Sequence, residues 1–150
     1  MLITKLSPEH EVFRESLRLF IQKEIIPHVD LWEKKGEIDK SIWKKMGDMS
    51  YLGLIFPEQY GGLDLDFFYS QIFCEELSQC FSGGFTISAL VIQYMSAPYL
   101  LKYGSDLLKE KYLPKVIAGE LVSAVAITEP GAGSDVKNIQ TTAFDHGDYF

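Results

Sequence analysis

The sequence predicts a mainly α chain: a helical bundle over residues 1–119, then the first strands of a β-domain over residues 120–150. Three observations predict it. Apolar residues recur at helical spacing in five successive segments before Gly119. β-favouring residues gather just after it, in Leu121-Val122-Ser123-Ala124-Val125-Ala126-Ile127. The following run, Thr128-Glu129-Pro130-Gly131-Ala132-Gly133-Ser134-Asp135, suits neither helix nor central strand.

The first helix opens at Ser7, a good cap, with Pro8 in the first turn and Glu9 and Glu11 at the positive end of its dipole. Val12, Phe13, Leu17, Phe20, Ile21 and Ile25 define its apolar face. Pro27 kinks or restarts it, Val29 and Trp32 continue the same face, and Gly36 ends it. A shorter helix is expected over residues 39–49, burying Ile42, Trp43 and Met46. A connection full of breakers follows, from Leu52 to Gly62. The third helix is expected over residues 65–80, with Phe68, Ile72, Cys74 or Glu75, and Leu77 on adjoining turns. Ser82-Gly83-Gly84 stops it. The fourth covers residues 86–95 and extends past Pro98 towards Tyr103. It is apolar nearly all round, which predicts the central, most buried helix. The fifth starts at Ser105, turns Leu107, Leu108, Tyr112 and Leu113 inward, and ends near Gly119.

Beyond Asp135, Gln140-Thr141-Thr142-Ala143-Phe144 reads as a strand, His146-Gly147-Asp148 as a turn, and Tyr149-Phe150 as the start of a returning strand. A hairpin with one arm cut off leaves backbone groups unpaired. The chain is therefore expected to be a fragment, or an early termination, of a larger protein.

Of the 150 residues, 47% are apolar and 23% charged, ordinary values for a folded domain. Acidic residues exceed basic ones by 21 to 14, a net charge of −7. That balance argues against non-specific nucleic-acid binding, which needs a basic footprint. Two cysteines, without a Cys-x-x-Cys or Cys/His cluster, point to reduced thiols inside a cell. Cys74 is expected in the core and Cys80 near a helix end. The N-terminus has no secretory pattern and is not Arg-rich. The longest apolar stretch, residues 87–101, is broken by Gln93 and Pro98. It falls short of the roughly 20 residues that span a bilayer, so no membrane span is expected.

The most informative segment for chemistry runs from Ile127 to Asp135. Gly131 and Gly133 carry no side chains, so backbone N–H groups can come close to a bulky anion. Thr128 and Ser134 flank the bend with hydroxyls, and Pro130 fixes its entry. These are the needs of a loop that touches a pyrophosphate. A plain strand-ending turn would use the same glycines. The Rossmann fingerprint fails for want of a third glycine and a following helix. The P-loop fails for want of Gly-Lys-Ser/Thr. His10, His28 and His146 are scattered, so no metal site is expected, and His10 and His28 read as solvated surface residues. Glu75 and Glu76 are neighbours that point apart on a helix, which suits a structural role better than acid–base chemistry. Phe67-Phe68-Tyr69 reads as core.

The chain resembles the acyl-CoA dehydrogenase family over nearly its whole length. The strongest match is Ala126-Ile127-Thr128-Glu129-Pro130-Gly131-Ala132-Gly133-Ser134-Asp135. Pro57-Glu58-Gln59-Tyr60-Gly61-Gly62, Glu75-Glu76-Leu77, Lys111-Tyr112-Leu113-Pro114 and Ala118-Gly119-Glu120 support it in order and spacing. Asp64 departs from the pattern, standing where a second glycine after the leucine is common, which affects the local loop shape.

The resemblance implies an N-terminal helical domain, a middle β-domain and a C-terminal four-helix domain. It implies FAD as cofactor, lined by Val125, Ala126, Ile127, Thr128, Gly133 and Ser134. Ile127 and Thr128 would lie on the flavin ring, Gly133 and Ser134 near the pyrophosphate, and Ser134 also near a bound acyl-CoA substrate. The stretch 86–94 would border the acyl cavity. The implied reaction is α,β-dehydrogenation of an acyl-CoA thioester, with electrons passed to an electron-transferring flavoprotein. In the family the glutamate base lies in the C-terminal domain, so no residue here takes that role and the chain alone is expected to be inactive. A homo-oligomer, dimer or tetramer, is implied, in the bacterial cytoplasm or the mitochondrial matrix. Alternatives are an acyl-CoA oxidase or flavin monooxygenase of the same fold, or a non-catalytic helical interaction module.

Overall fold

The computed structural model describes residues 6–147. The expected returning strand at Tyr149-Phe150 lies outside the described residues. Among the described residues seven α-helical segments follow one another: α1 Pro8–Phe20, α2 Val29–Lys35, α3 Ser41–Asp48, α4 Phe67–Ser78, α5 Gly83–Leu90, α6 Ala97–Tyr103 and α7 Asp106–Ile117.

Capping sets most of the helix starts. Ser7 accepts from the His10 N–H, and the Ser7 N–H donates back to His10 Nδ1 at 3.0 Å, a reciprocal cap. Asp66, Ser82 and Ser105 accept from Phe68, Phe85 and Leu108 in the same manner. Gly36, at φ 68°, ends α2 in the left-handed conformation.

The two prolines at Pro27 and Pro98 share one solution. A helical proline lacks an N–H and presses on the carbonyl four residues back. In each case a wide π turn precedes it, Ile21–Ile25 and Val91–Ser96. The Ile26 N–H reaches the Ile21 carbonyl and the Ala97 N–H reaches Ile92, each five residues back. The chain thus continues through both prolines rather than stopping.

The core joins Leu17, Ile21 and Ile25 to Ile42, Trp43 and Met46 of α3, Phe73 and Leu77 of α4, Phe85, Ala89 and Ile92, and Leu113, Val116 and Ile117 of α7. A column of rings crosses it. His28 stacks on Trp32, Trp32 on Phe85, and Phe85 on Trp43, with centroids 5.4–5.7 Å apart. The breaker-rich connection is also core. Tyr51, Leu52, Leu54 and Phe56 are buried, and the loop folds on itself through Leu63→Gly53, Asp64→Phe56 and Leu65→Leu54 backbone bonds.

Several sequence expectations need correction. Val12 is 70% exposed, because the buried stripe of α1 runs through His10, Leu17 and Ile21. His10 is buried, not solvated: Nδ1 accepts from Ser7, so Nε2 donates to both Asp66 carboxylate oxygens at 3.1 and 3.2 Å. Cys74 is exposed, whereas Cys80 is buried; α4 turns Ile72, Phe73, Glu76 and Leu77 inward. Phe67 is exposed. Leu107, Leu108 and Tyr112 are exposed and Leu113 is buried, since only the second half of α7 meets the core.

The rod Gly83–Tyr103 is 21 residues long, with mean hydropathy 1.2, long and apolar enough to cross a bilayer by length and composition. It is not the most buried element. Phe85, Ala89, Ile92, Gln93, Ser96 and Ala97 face the bundle, while Ile87, Met95, Tyr99 and Tyr103 are exposed.

Residues 121–127 join no ladder, and the only bridge among the described residues pairs Glu129 with Ala132. The expected strand at 140–144 is likewise unpaired. A strand needs a neighbour to receive its backbone groups, and no described segment provides one. The period-two pattern persists, with Ser123 and Val125 half-buried between exposed neighbours.

Candidate functional site

The path into the candidate site is set by backbone packing. A Cβ on Gly47 would sit 2.2 Å from the Ala118 backbone, and one on Gly119 would sit 1.9 Å from the Trp43 carbonyl oxygen. These contacts hold the end of α7 against α3 and direct residue 120 outward. The segment that follows is tied to the bundle by the Leu121 N–H, which donates to the Lys115 carbonyl at 3.1 Å, and by a pair of serines. Ser96 Oγ donates to the Val91 carbonyl at 3.0 Å, inside the second π turn, and lies 2.6 Å from Ser123 Oγ.

The bend itself is closed by its own backbone. The Glu129 N–H donates to the Ala132 carbonyl at 2.9 Å and the Ala132 N–H returns to Glu129 at 3.1 Å. Ala132 is buried at the pivot. Ile127 is 42% exposed, and Ala126, Thr128, Gly131, Gly133 and Ser134 are exposed as well.

The two glycines of the bend are open. A Cβ at Gly131 or Gly133 would meet nothing within 4 Å, and neither has a positive φ. The chain's own packing therefore requires neither glycine, unlike Gly47 or Gly119. That openness leaves room for another group to approach the backbone. The N–H groups of Gly131, Gly133 and Ser134 bond no described residue, nor do the Thr128 and Ser134 hydroxyls. A row of free donors without side-chain cover fits a bulky phosphate-bearing cofactor.

Acid chemistry lies elsewhere and is tied down. Glu76, 3% exposed, receives Arg18 Nε at 2.9 Å and Nη2 at 2.8 Å, and Arg14 Nη1 at 3.0 Å. Glu75 receives Arg14 at 2.8 Å and Gln71 at 2.8 Å. The Arg18 hydrogen bonds, then those of Arg14, hold the Glu76 carboxyl below its ordinary range against the opposing effect of burial. Such a carboxylate clamps α1 to α4 and makes a poor proton acceptor, as the structural role expected from the sequence requires.

Near the 86–94 stretch, the Gln93 side chain is fully buried. Its Nε2 donates to the Tyr51 carbonyl at 3.2 Å, and Oε1 has no donor among the described residues. Burial pushes the Tyr94 hydroxyl above its ordinary value. A groove of about 520 Å³ lies between α1 and α3 beside Leu19, Phe20, Lys45 and Met49, and contains none of the candidate residues.

Sequence reasoning missed Glu129. Its carboxylate accepts from the Gln140 N–H at 2.9 Å, from the Thr141 N–H at 3.0 Å and from the Thr141 hydroxyl. The available signal was its charge: an acid inside a loop read as anion-binding calls for a partner.

Comparison with known proteins places these features in context. The family described as acyl-CoA dehydrogenase, N-terminal domain, matches residues 7–120. The chain is 40% identical over 139 residues to the mitochondrial long-chain specific acyl-CoA dehydrogenase of Mus musculus, covering 91% of the chain and 31% of that protein. It superposes on the crystal structure of an acyl-CoA dehydrogenase from Geobacillus kaustophilus with a TM-score of 0.89 and 44% identity, covering 96% of the chain and 37% of that one. An acyl-CoA dehydrogenase complexed with FAD from Bacillus anthracis gives a TM-score of 0.88 and 33% identity, with coverage of 97% and 25%. The chain spans about a third of the length of the curated relatives it matches.

Proposed function

Because the chain belongs to the acyl-CoA dehydrogenase family, we propose that it forms one wall of the FAD and acyl-CoA site of an enzyme that dehydrogenates acyl-CoA thioesters between the α and β carbons. The observation that carries this is the pair of glycines at 131 and 133, which face open space beside N–H groups that bond no described residue.

In this reading residues 1–119 are the helical domain and residues 120–150 open the β-domain. Val125, Ala126 and Ile127 line the cofactor with apolar surface and exclude water from the ring. The Thr128 hydroxyl would donate to the polar edge of the flavin, and the Gly133 and Ser134 N–H groups would donate to the pyrophosphate oxygens. Ser134 also borders the thioester, and the 86–94 stretch borders the acyl chain. FAD, when bound, supplies the hydride acceptor. No acid of this chain is assigned the removal of the α-proton, since Glu75 and Glu76 are held by Arg14 and Arg18. The electron acceptor is an electron-transferring flavoprotein. The working protein is a homo-oligomer of the bacterial cytoplasm or the mitochondrial matrix.

The test uses the natural polypeptide that carries this chain. It should purify yellow, and anaerobic addition of an acyl-CoA from a graded series should bleach its visible flavin band. Bleaching by one range of acyl lengths supports the reading and defines the substrate. A flavin-free product, or a flavin that no acyl-CoA bleaches, overturns it.

A further inference from the structure

A carboxylate beside a pyrophosphate is electrostatically unfavourable unless other groups take up its charge. The 128–135 bend holds two, Glu129 and Asp135. Asp135 accepts from the Lys137 N–H at 3.3 Å and the Asn138 amide at 2.8 Å, which caps the short turn Val136–Asn138. Glu129 reaches further, binding the backbone of residues 11 and 12 positions ahead.

We propose that Glu129 is a positioning residue of the flavin site, its carboxylate clasping Gln140 and Thr141 so that the bend keeps the Gly131, Gly133 and Ser134 N–H groups free for the cofactor. This rests on the reading of the bend as an FAD loop.

Two sets of bonds meet at this one residue. Its main chain closes the bend by the two-way pair with Ala132. Its side chain ties the closed bend to the downstream segment through three donors. The Gln140 N–H, followed by the Thr141 donors, holds the Glu129 carboxyl below its ordinary range, so the clasp persists at neutral pH. Glutamine would keep one accepting oxygen and turn an NH2 towards the other donor, retaining part of the clasp. Alanine removes it entirely.

Two measurements decide the matter. In the chain itself, the Gln140 and Thr141 amide protons should titrate together with the Glu129 carboxyl in nuclear magnetic resonance spectra. In E129A both signals should move to their acid positions at neutral pH. In the natural polypeptide, E129A should weaken FAD retention roughly tenfold and E129Q less, while the far-ultraviolet melt of the helices stays unchanged. Amide signals indifferent to Glu129 overturn the clasp. Signals that do respond, with FAD retention equal to wild type, overturn its positioning role. A wild-type polypeptide that takes up no flavin sinks the functional reading and the role with it, whereas the amide titration still reports whether the clasp exists.

Discussion

Two residues carry more of the structure than their types suggest. Glu76 is a buried carboxylate between two arginines, and removing one member of such a set leaves the rest uncompensated. Glu76→Ala should cost about 3 kcal/mol in urea unfolding, the low end for a buried pair because Arg18 is partly exposed. The folded pKa of Glu76 lies below its unfolded value. Its contribution is therefore present at neutral pH and lost as pH falls below the ordinary carboxylate range through the lowered folded value. Urea midpoints of wild type and E76A should differ at neutral pH and converge at acid pH. Asp64 has φ 46°, a conformation that strains a residue with a Cβ. Asp64→Gly should stabilise the chain by about 0.5 kcal/mol, the relief being partly offset by glycine's extra freedom when unfolded. Here the sequence was partly legible: the departure at Asp64 was visible and its strain was not. His10 was misread because its partner Asp66 lies 56 residues away, and no local pattern reports such a pair.

At the scale of elements, helix starts were legible because their caps are local chemistry. Ser7, Ser105 and the Pro8 turn stand where the residue types place them. The inward faces of α4 and α7 were less so. Their apolar residues are spread around the helix, and only the neighbours choose which side is buried. The strands expected after Gly119 from propensity are not formed among the described residues, because a ladder belongs to two segments at once. The α3–α7 crossing gives a prediction opposite to propensity. An alanine inside a helix ordinarily gains about 1 kcal/mol over glycine. Gly47→Ala should instead destabilise by about 2 kcal/mol, because its Cβ would enter the Ala118 backbone. A denaturation midpoint that rises in G47A would show that the crossing is loose.

For the whole molecule, the division between a packed helical body and an exposed segment from residue 120 decides what the chain can do alone. The candidate cofactor residues lie along one exposed bend, tied to the helical body at Leu121–Lys115 and Ser96–Ser123. One wall of a pocket holds a ligand weakly, since every other contact is missing. The isolated chain should therefore lose FAD on desalting, as followed by the visible spectrum, and stoichiometric retention would contradict this. The bend was legible from its glycines and hydroxyls. The clasp that shapes it was not, since Gln140 and Thr141 carry no mark of their role.

The ring column has a practical outcome. Both tryptophans of the chain, Trp32 and Trp43, flank the same Phe85 ring. Intrinsic fluorescence is thus one local probe of the junction between α2, α3 and α5, and it is silent about everything after residue 120. An emission-monitored melt can look fully cooperative while the glycine bend has already lost its shape, so the bend needs a label of its own.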